Sequence, residues 1–563
     1  MKRRDFLKKS ALFSGAFALN NIPVQTMAKS NFLNQMAMTS DNDKVLVIVQ
    51  LHGGNDGLNT LIPIGQYTEY QNIRPNIALP FSGSGSRNII NLDPSLDIAD
   101  QVGIHPDMGD LRYLYDEGKV KIIRDVAYDN MDQSHFRSRD IFFMGGGHDD
   151  YYDSGWLGRY LVEKYPGYPD NYPNEEMPDP LSLEIGNGIS LAFHTPNTIP
   201  ASLSISNPQQ FYNLINGVIG SEGVPEGLDG SIATPPEAIT TTKYAEEVRW
   251  IMEFEQKSDG YAERLRDVYL AGSNSANVSY PEQYPFTAPS GARSNPLSGQ
   301  LQLISRLLSG GVKTKVFLAR IGGFDTHAFQ VDPSSTTYGS HAAKLYHVFS
   351  AIRAFQDDLK DQGLEDRVLT VTLSEFGRRA ASNNSWGTDH GKAAPMFVFG
   401  KGVNPGVTGT NPDLNNLQNG NIQMQYDYRQ VFNEIVNDWF EATESERSSV
   451  NFDQTVALPK LNVLSSGETI STKEFFDSRF YLKSCFPNPV VDQTSIEFKI
   501  NRGSEVTIKL YDSRGIYVED ILNEYKMPGE YLINYDASHL TQGAYFFTLK
   551  SGGFISTKKL IKE

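Results

Sequence analysis

The chain has 563 residues, 39% of them hydrophobic and 11% aromatic, which is enough to bury a sizeable core and too long for one ordinary domain. Lys and Arg number 50 against 67 Asp and Glu, a net charge of −17, so the surface repels polyanions and nucleic acid is excluded as an expected partner. Cys485 is the single cysteine, so no intrachain disulfide forms, and packing, with or without a metal, must hold the fold.

In chain order, the first feature is MKRRDFLKK, with Arg3 and Arg4 adjacent, ahead of a modest apolar stretch from Ser10 to Leu19. That stretch is too short and too polar to span a membrane. Charge, apolar run and small residues in this order resemble a twin-arginine export signal, assigned to residues 1–28, with Ala16–Ala18 and the region of Ala28 both open as cleavage points. The resemblance implies that the protein folds, and acquires any metal, before crossing the inner membrane and the periplasm. A basic amphipathic first helix is the plainer alternative.

Residues 44–441 alternate strand and helix patterns. Strands are expected at 45–49, 119–124, 315–321, 367–373 and 395–399, and helices at 108–117, around 345–359 and around 431–439. Repeated strand-helix-strand units predict an α/β/α sandwich with a mainly parallel sheet covered on both faces. A Tyr-, Pro-, Asn- and Gly-rich stretch at about 149–296, with one helical segment near Tyr244–Leu270, reads as insertions over one end of that sheet.

Ligands of such sheets sit beyond the carboxyl ends of the strands, and polar motifs fall there repeatedly. HGGNDGLNT begins at His52, DQSHFR at Asp132, GGFDTH at Gly322 and SEFGR at Ser374, while GTDHG at 387–391 lies immediately before the last strand. Carboxylates and imidazoles gathered at one edge are the inventory of a zinc or mixed divalent site. Asp56, Asp325, His327, Glu375 and His390 belong to this inventory, which suits one or two ions of Zn, Mn, Ca or Mg. Ser134 and Arg137 are the candidate catalytic groups, a nucleophile at a helix start and a fork for an anion. His135, like Arg137, could hold an anionic group, and each residue has a plainer reading: Asp56 as a turn residue, Ser134 as a helix cap, His135 and Arg137 as structural, Glu375 as a partner of Arg378 or Arg379. His341 is an alternative ligand, His52 a supporting residue, and His347 packing.

Residues 442–480 read as a linker or peripheral extension. From 484 to 563 short alternating strands bounded by Gly, Asp and Asn predict a small immunoglobulin-like β-sandwich. FPNP, LYDSRG and the final GAYFFTLKSGG closely resemble the C-terminal sorting domain of the type IX secretion pathway of Bacteroidetes-type bacteria. That implies delivery to the cell surface or the medium by the export machinery. The alternative is a generic carbohydrate-binding sandwich.

HGGNDGLNTLIP, SHFRSRD, GGFDTH, TLSEFGR and TDHGKAAPMFVFG together resemble the exported bacterial family called domain of unknown function 1501, related to the alkaline phosphatase and sulfatase superfamily. The resemblance implies an alkaline-phosphatase-like fold and hydrolysis of a phosphate or sulfate ester, from a small molecule or a glycan, with Asp56 in the place of the first metal-bridging aspartate, Ser134 near the place of the nucleophile, and Asp325, His327 and His390 as ligands of one metal, with Glu375 as a further ligand. Departures accompany it. Ser374-Glu375 stands where catalytic members carry an Asp-His pair, and no Cys-x-Pro-x-Arg sulfatase signature is present. A surface binding or scaffold protein without turnover, or a carbohydrate-binding adhesin, is therefore the competing expectation.

Overall fold

The computed structural model describes residues 42–82, 87–186, 188–196, 200–205, 261–452, 458–465, 481–483, 485–500, 504–512, 517–527, 529–551 and 554–563, with the short pairs 18–19 and 22–23. Arg3, Arg4 and residues 244–260 of the expected helical segment lie outside the described residues; 261–271 are helical.

Strand β1 (Val45–His52) has the sequence VLVIVQLH and is buried along both faces up to its last residue. Val45, Val47, Val49 and Leu51 join one apolar cluster, while Leu46 and Ile48 join another. A strand buried on both faces reads as a continuous hydrophobic run because helices cover the sheet from either side. The elements that follow and position the site are β2 (Val120–Ala127), α1 (His135–Met144), β3 (Ser182–Ile185), β4 (Ser202–Ile205), α2 (Pro296–Ser309), β5 (Val316–Gly322), α3 (Ser340–Asp361), β6 (Val368–Leu373), β7 (Ala394–Phe399), β8 (Gly406–Thr408) and β9 (Tyr426–Asp427). Helices α2 and α3 pack on the Val45 face. Helix α1, helix Trp156–Lys164 and helix Tyr428–Glu434 pack on the other.

The sheet order is β8-β2-β7-β6-β1-β5-β3-β4, with β9 also paired to β2. β1 pairs in parallel with β5 and β6, and β5 continues in parallel to β3. β7 alone is reversed, antiparallel to both β6 and β2. This mainly parallel, doubly covered sheet is the architecture that the alternating pattern predicted. The reversal has a consequence for the site: the start of β7, not its end, lies at the carboxyl edge, which is why the motif at 387–391 precedes its strand. Register brings the segments level, since His52 pairs with Gly322 and Gln50 with Leu373.

Val450, Phe452, Leu461, Val463 and Leu464 are buried in the same cluster as Leu46 and Ile48, so the packing of the α/β body continues beyond residue 441. The C-terminal strands form a three-stranded and a four-stranded antiparallel sheet. Ile496 and Phe498 of the first, with Ile508, Leu510, Phe547 and Leu549 of the second, close a separate core. Among the described residues no helix is long and apolar enough to cross a membrane.

Candidate functional site

The carboxyl edge collects the ends of β1, β5 and β6, the start of β7 and, through a short loop after β2, helix α1. Asp132 Oδ1 accepts the Ser134 N–H at 2.7 Å, and Ser134 Oγ accepts the Arg137 N–H at 3.5 Å. Ser134 is therefore the N-cap of α1, satisfying one of the donors that a helix start leaves free. Ser138, in the first turn, donates to the Glu375 carbonyl and accepts from the Tyr128 hydroxyl, which fixes α1 against the end of β6.

His135 consequently projects into the edge. Its Nδ1 meets Glu375 Oε1 at 2.8 Å, and its Nε2, buried and without a hydrogen-bond partner among the described residues, stands 3.4 Å from Asp325 Oδ2. His390 repeats the arrangement with other partners: Nδ1 donates to the Gln133 carbonyl at 2.8 Å, and Nε2 lies 3.4 Å from Asp325 Oδ1. A carbonyl can only accept, so His390 Nδ1 carries the proton in the neutral ring, and the Nε2 lone pair is left facing a carboxylate. Two acceptors set opposite each other call for a proton or a cation between them. Ligand-type atoms of His135, Asp325 and His390 all lie within 4.8 Å of one another. His327 flanks them, its Nε2 3.2 Å from Asp325 Oδ1 and its Nδ1 3.6 Å from Asp389 Oδ1.

The electrostatics agree with ionised, paired groups. Burial by itself would raise the Asp325 carboxyl, but the Arg378 guanidinium bonded to it, with His135 and His327 nearby, holds it below the usual carboxylate range. The hydrogen bond to Glu375 raises His135, whereas desolvation lowers His390.

Arg378 is the structural centre of the edge. Its side chain is fully buried and donates to the carbonyls of Gly53, Gly54 (2.9 Å), Thr388 (3.0 Å) and Phe324 (3.1 Å) and to Asp325 Oδ1 (2.6 Å). One planar fork thus ties three loops together. Gly53 permits their approach: its φ is +124°, and a Cβ there would stand 2.2 Å from the Asp325 nitrogen.

The other expected residues stand as follows. Asp56 is completely buried and its carboxylate takes Arg74 Nη1 at 2.5 Å, Gln330 Nε2 at 2.6 Å and the Leu58 N–H at 3.2 Å. This puts Asp56 in a buried ion pair, and its carboxylate is not one of the ligand-type atoms that lie within 4.8 Å of one another. Glu375 enters as the acceptor for His135 and for the Gly53 N–H (2.7 Å); its Oε2 has no hydrogen-bond partner among the described residues. Arg137 donates to the His148 and Asp150 carbonyls at 2.7 and 2.6 Å and stacks on Tyr151, which commits it to holding a loop. His341 is buried with Nε2 3.1 Å from Asn55 Oδ1, and His347 is buried with Nε2 2.8 Å from the Ala292 carbonyl. Sequence reasoning named His135 only as a structural or anion-holding residue and Arg378 only as a partner of Glu375, not as members of this cluster. His135 had a signal, being an imidazole in the same post-strand motif as Ser134; Arg378 had none, since nothing in a sequence says which arginine is buried.

Residues 274–451 match the family described as protein of unknown function (DUF1501), and residues 484–563 match the one described as secretion system C-terminal sorting domain. Each match covers one part of the chain. The DUF1501 match covers under half of the chain; it includes Asp325, His327, Arg378 and His390 and leaves out His52 and His135. The sorting domain marks the protein for secretion to the cell surface or beyond. No curated protein sequence matches the chain. A protein in the alkaline phosphatase superfamily from Vibrio parahaemolyticus is similar in structure, at 10% identity and TM-score 0.32, over 91% of this chain and 83% of its own. PsFucS1 sulfatase from Pseudoalteromonas sp. is similar at 9% identity and TM-score 0.28, over 93% and 89%. Likeness at this distance transfers no residue role to the DUF1501 region.

Proposed function

We propose that this is an exported hydrolase of phosphate or sulfate esters whose carboxyl edge binds a divalent cation. The observation that carries the reading is the convergence of His135 Nε2 and His390 Nε2 on Asp325 while each Nδ1 is held from behind, by Glu375 and by the Gln133 carbonyl. A histidine ligand is commonly oriented in this way through its other nitrogen. Two imidazoles and a carboxylate suit Zn or a similar borderline ion, with His327 at hand as a fourth donor. Such an ion supplies charge to polarise an ester oxygen and to acidify water. Glu375 fixes the His135 tautomer, Arg378 keeps Asp325 ionised and in place, and the half-exposed sides of Asp325 and His327 leave the site open to a substrate. Ser134, exposed and capping α1, is a weaker nucleophile candidate than water. The remaining proposals are a twin-arginine route through the periplasm and the domain limits read from the sequence.

The test is the metal content of purified mature protein, together with turnover of 4-nitrophenyl phosphate and 4-nitrophenyl sulfate, in wild type and in Asp325→Asn. About one equivalent of bound metal and measurable turnover in the wild type, both lost in Asp325→Asn with its circular dichroism preserved, is the expected result. Wild-type protein that holds less than a tenth of an equivalent after dialysis against Zn overturns it. A surface binding protein without turnover is the second reading, favoured by the 2.6 Å bond that already half-neutralises Asp325 through Arg378; retained metal with no hydrolysis of either ester selects it.

A further inference from the structure

Glu375 Oε1 serves more than one imidazole. Besides His135 and the Gly53 N–H, it faces His52 Nδ1 at 3.4 Å. The two rings are 5.8 Å apart, yet they are placed differently: the His135 side chain is 21% exposed and turned toward Asp325, whereas the His52 side chain is 48% exposed. His52 is the last residue of β1, its carbonyl accepts the Phe324 N–H at 3.2 Å, and it is level with Gly322, so it stands on the same lip as Asp325. Nδ1 is toward a fully buried carboxylate while the side chain as a whole is half exposed, which leaves Nε2 as the ring nitrogen for a molecule that docks on the lip.

We propose that His52 is the proton donor to the leaving group in the hydrolysis suggested above, an inference that rests on that reading. The bond between the leaving oxygen and phosphorus or sulfur breaks with its electron pair on the oxygen, which takes the proton from His52 Nε2 and departs as an alcohol. A water oxygen forms the new bond to phosphorus or sulfur, and a proton from that water passes to solvent. The neutral imidazole then takes a proton from solvent. Glu375, 3.4 Å away on the Nδ1 side, balances the imidazolium charge, while the same carboxylate is hydrogen-bonded to the metal-facing ring of His135. His52 would touch the reacting atoms, whereas Glu375 acts through it and is a positioning residue.

Leaving-group dependence tests this, because a merely structural role would damage all esters alike. A 4-nitrophenolate departs without a proton; a benzyl alkoxide requires one. With metal content equal to wild type, His52→Gln is expected to lower kcat/KM on benzyl phosphate or benzyl sulfate by about 100-fold and on the matching 4-nitrophenyl ester by under about fivefold. His52→Ala should regain benzyl ester turnover on addition of imidazole, which can enter the half-exposed position. Equal losses on both esters overturn the proposal alone, as does a loss of metal in His52→Gln, which would make His52 a ligand. Absence of turnover in the wild type overturns the hydrolase reading and this proposal together.

Discussion

Replacing Arg378 with Met removes a buried cation that five acceptors share. The methylene stem is retained, so little apolar contact is lost, and the change is confined to the guanidinium. Four carbonyls, of Gly53, Gly54, Phe324 and Thr388, lose a charged donor, and Asp325 loses its counter-ion. Each such bond contributes on the order of 1.5–3 kcal/mol when the donor is charged. The plain sum overshoots, because Asp325 is half exposed and bonds that share one guanidinium do not add independently. Breaking a buried charged network usually costs about 3–5 kcal/mol, and that is the expected loss for Arg378→Met. Arg378→Lys, with three donors in place of five and no planar fork, should lose roughly half as much. Urea denaturation of both variants against wild type measures it, with an unchanged m-value showing that the same fold unfolds. A loss within about 1 kcal/mol for Arg378→Met would refute the view that this residue holds the three loops together.

Gly53→Ala should be more damaging to the site than to the sheet: its Cβ would meet the Asp325 nitrogen at 2.2 Å, so metal binding is expected to fall at least tenfold by calorimetric titration while the strands survive by circular dichroism. His341 is buried and its pKa is pushed down to about 4 by desolvation, so the unfolded chain binds the extra proton first as acid is added. Its contribution to stability is therefore complete above about pH 6.5 and is lost as pH falls toward 4, by up to about 1.4 kcal/mol per pH unit. Urea midpoints between pH 7.5 and pH 4.5 should decline less steeply in His341→Gln than in wild type, and parallel profiles would count against the buried neutral form. Deleting 486–563 should leave the α/β body folded and retained inside the cell envelope; normal delivery of the truncated protein to the surface, seen by protease accessibility of intact cells, would contradict the sorting role.

Strand and helix periodicity were legible in the sequence because a sheet buried on both faces needs continuous apolar runs such as Val45–Leu51, and a covering helix needs an apolar stripe such as that of α3. The sorting domain was legible for a similar reason, since alternating strands between Gly and Asp turns leave a local signature. Convergence of the polar motifs on one edge followed from the parallel topology, which delivers every post-strand residue to the same side. Which groups among them face one another did not follow. Asp56 and Asp325 both sit in post-strand turns, yet only the tertiary packing decides that Arg74 meets the first and that three imidazoles and Arg378 meet the second. Glu375 and His135 are 240 residues apart, and their pairing depends on Ser138 docking α1 onto the end of β6. The reversal of β7, which brings His390 to the edge from in front of its strand, is a sheet-pairing choice that short buried strands do not encode locally. Local sequence therefore set the elements and the chemical inventory of the edge, and the long-range packing of loops around Arg378 decided which of those side chains form a site.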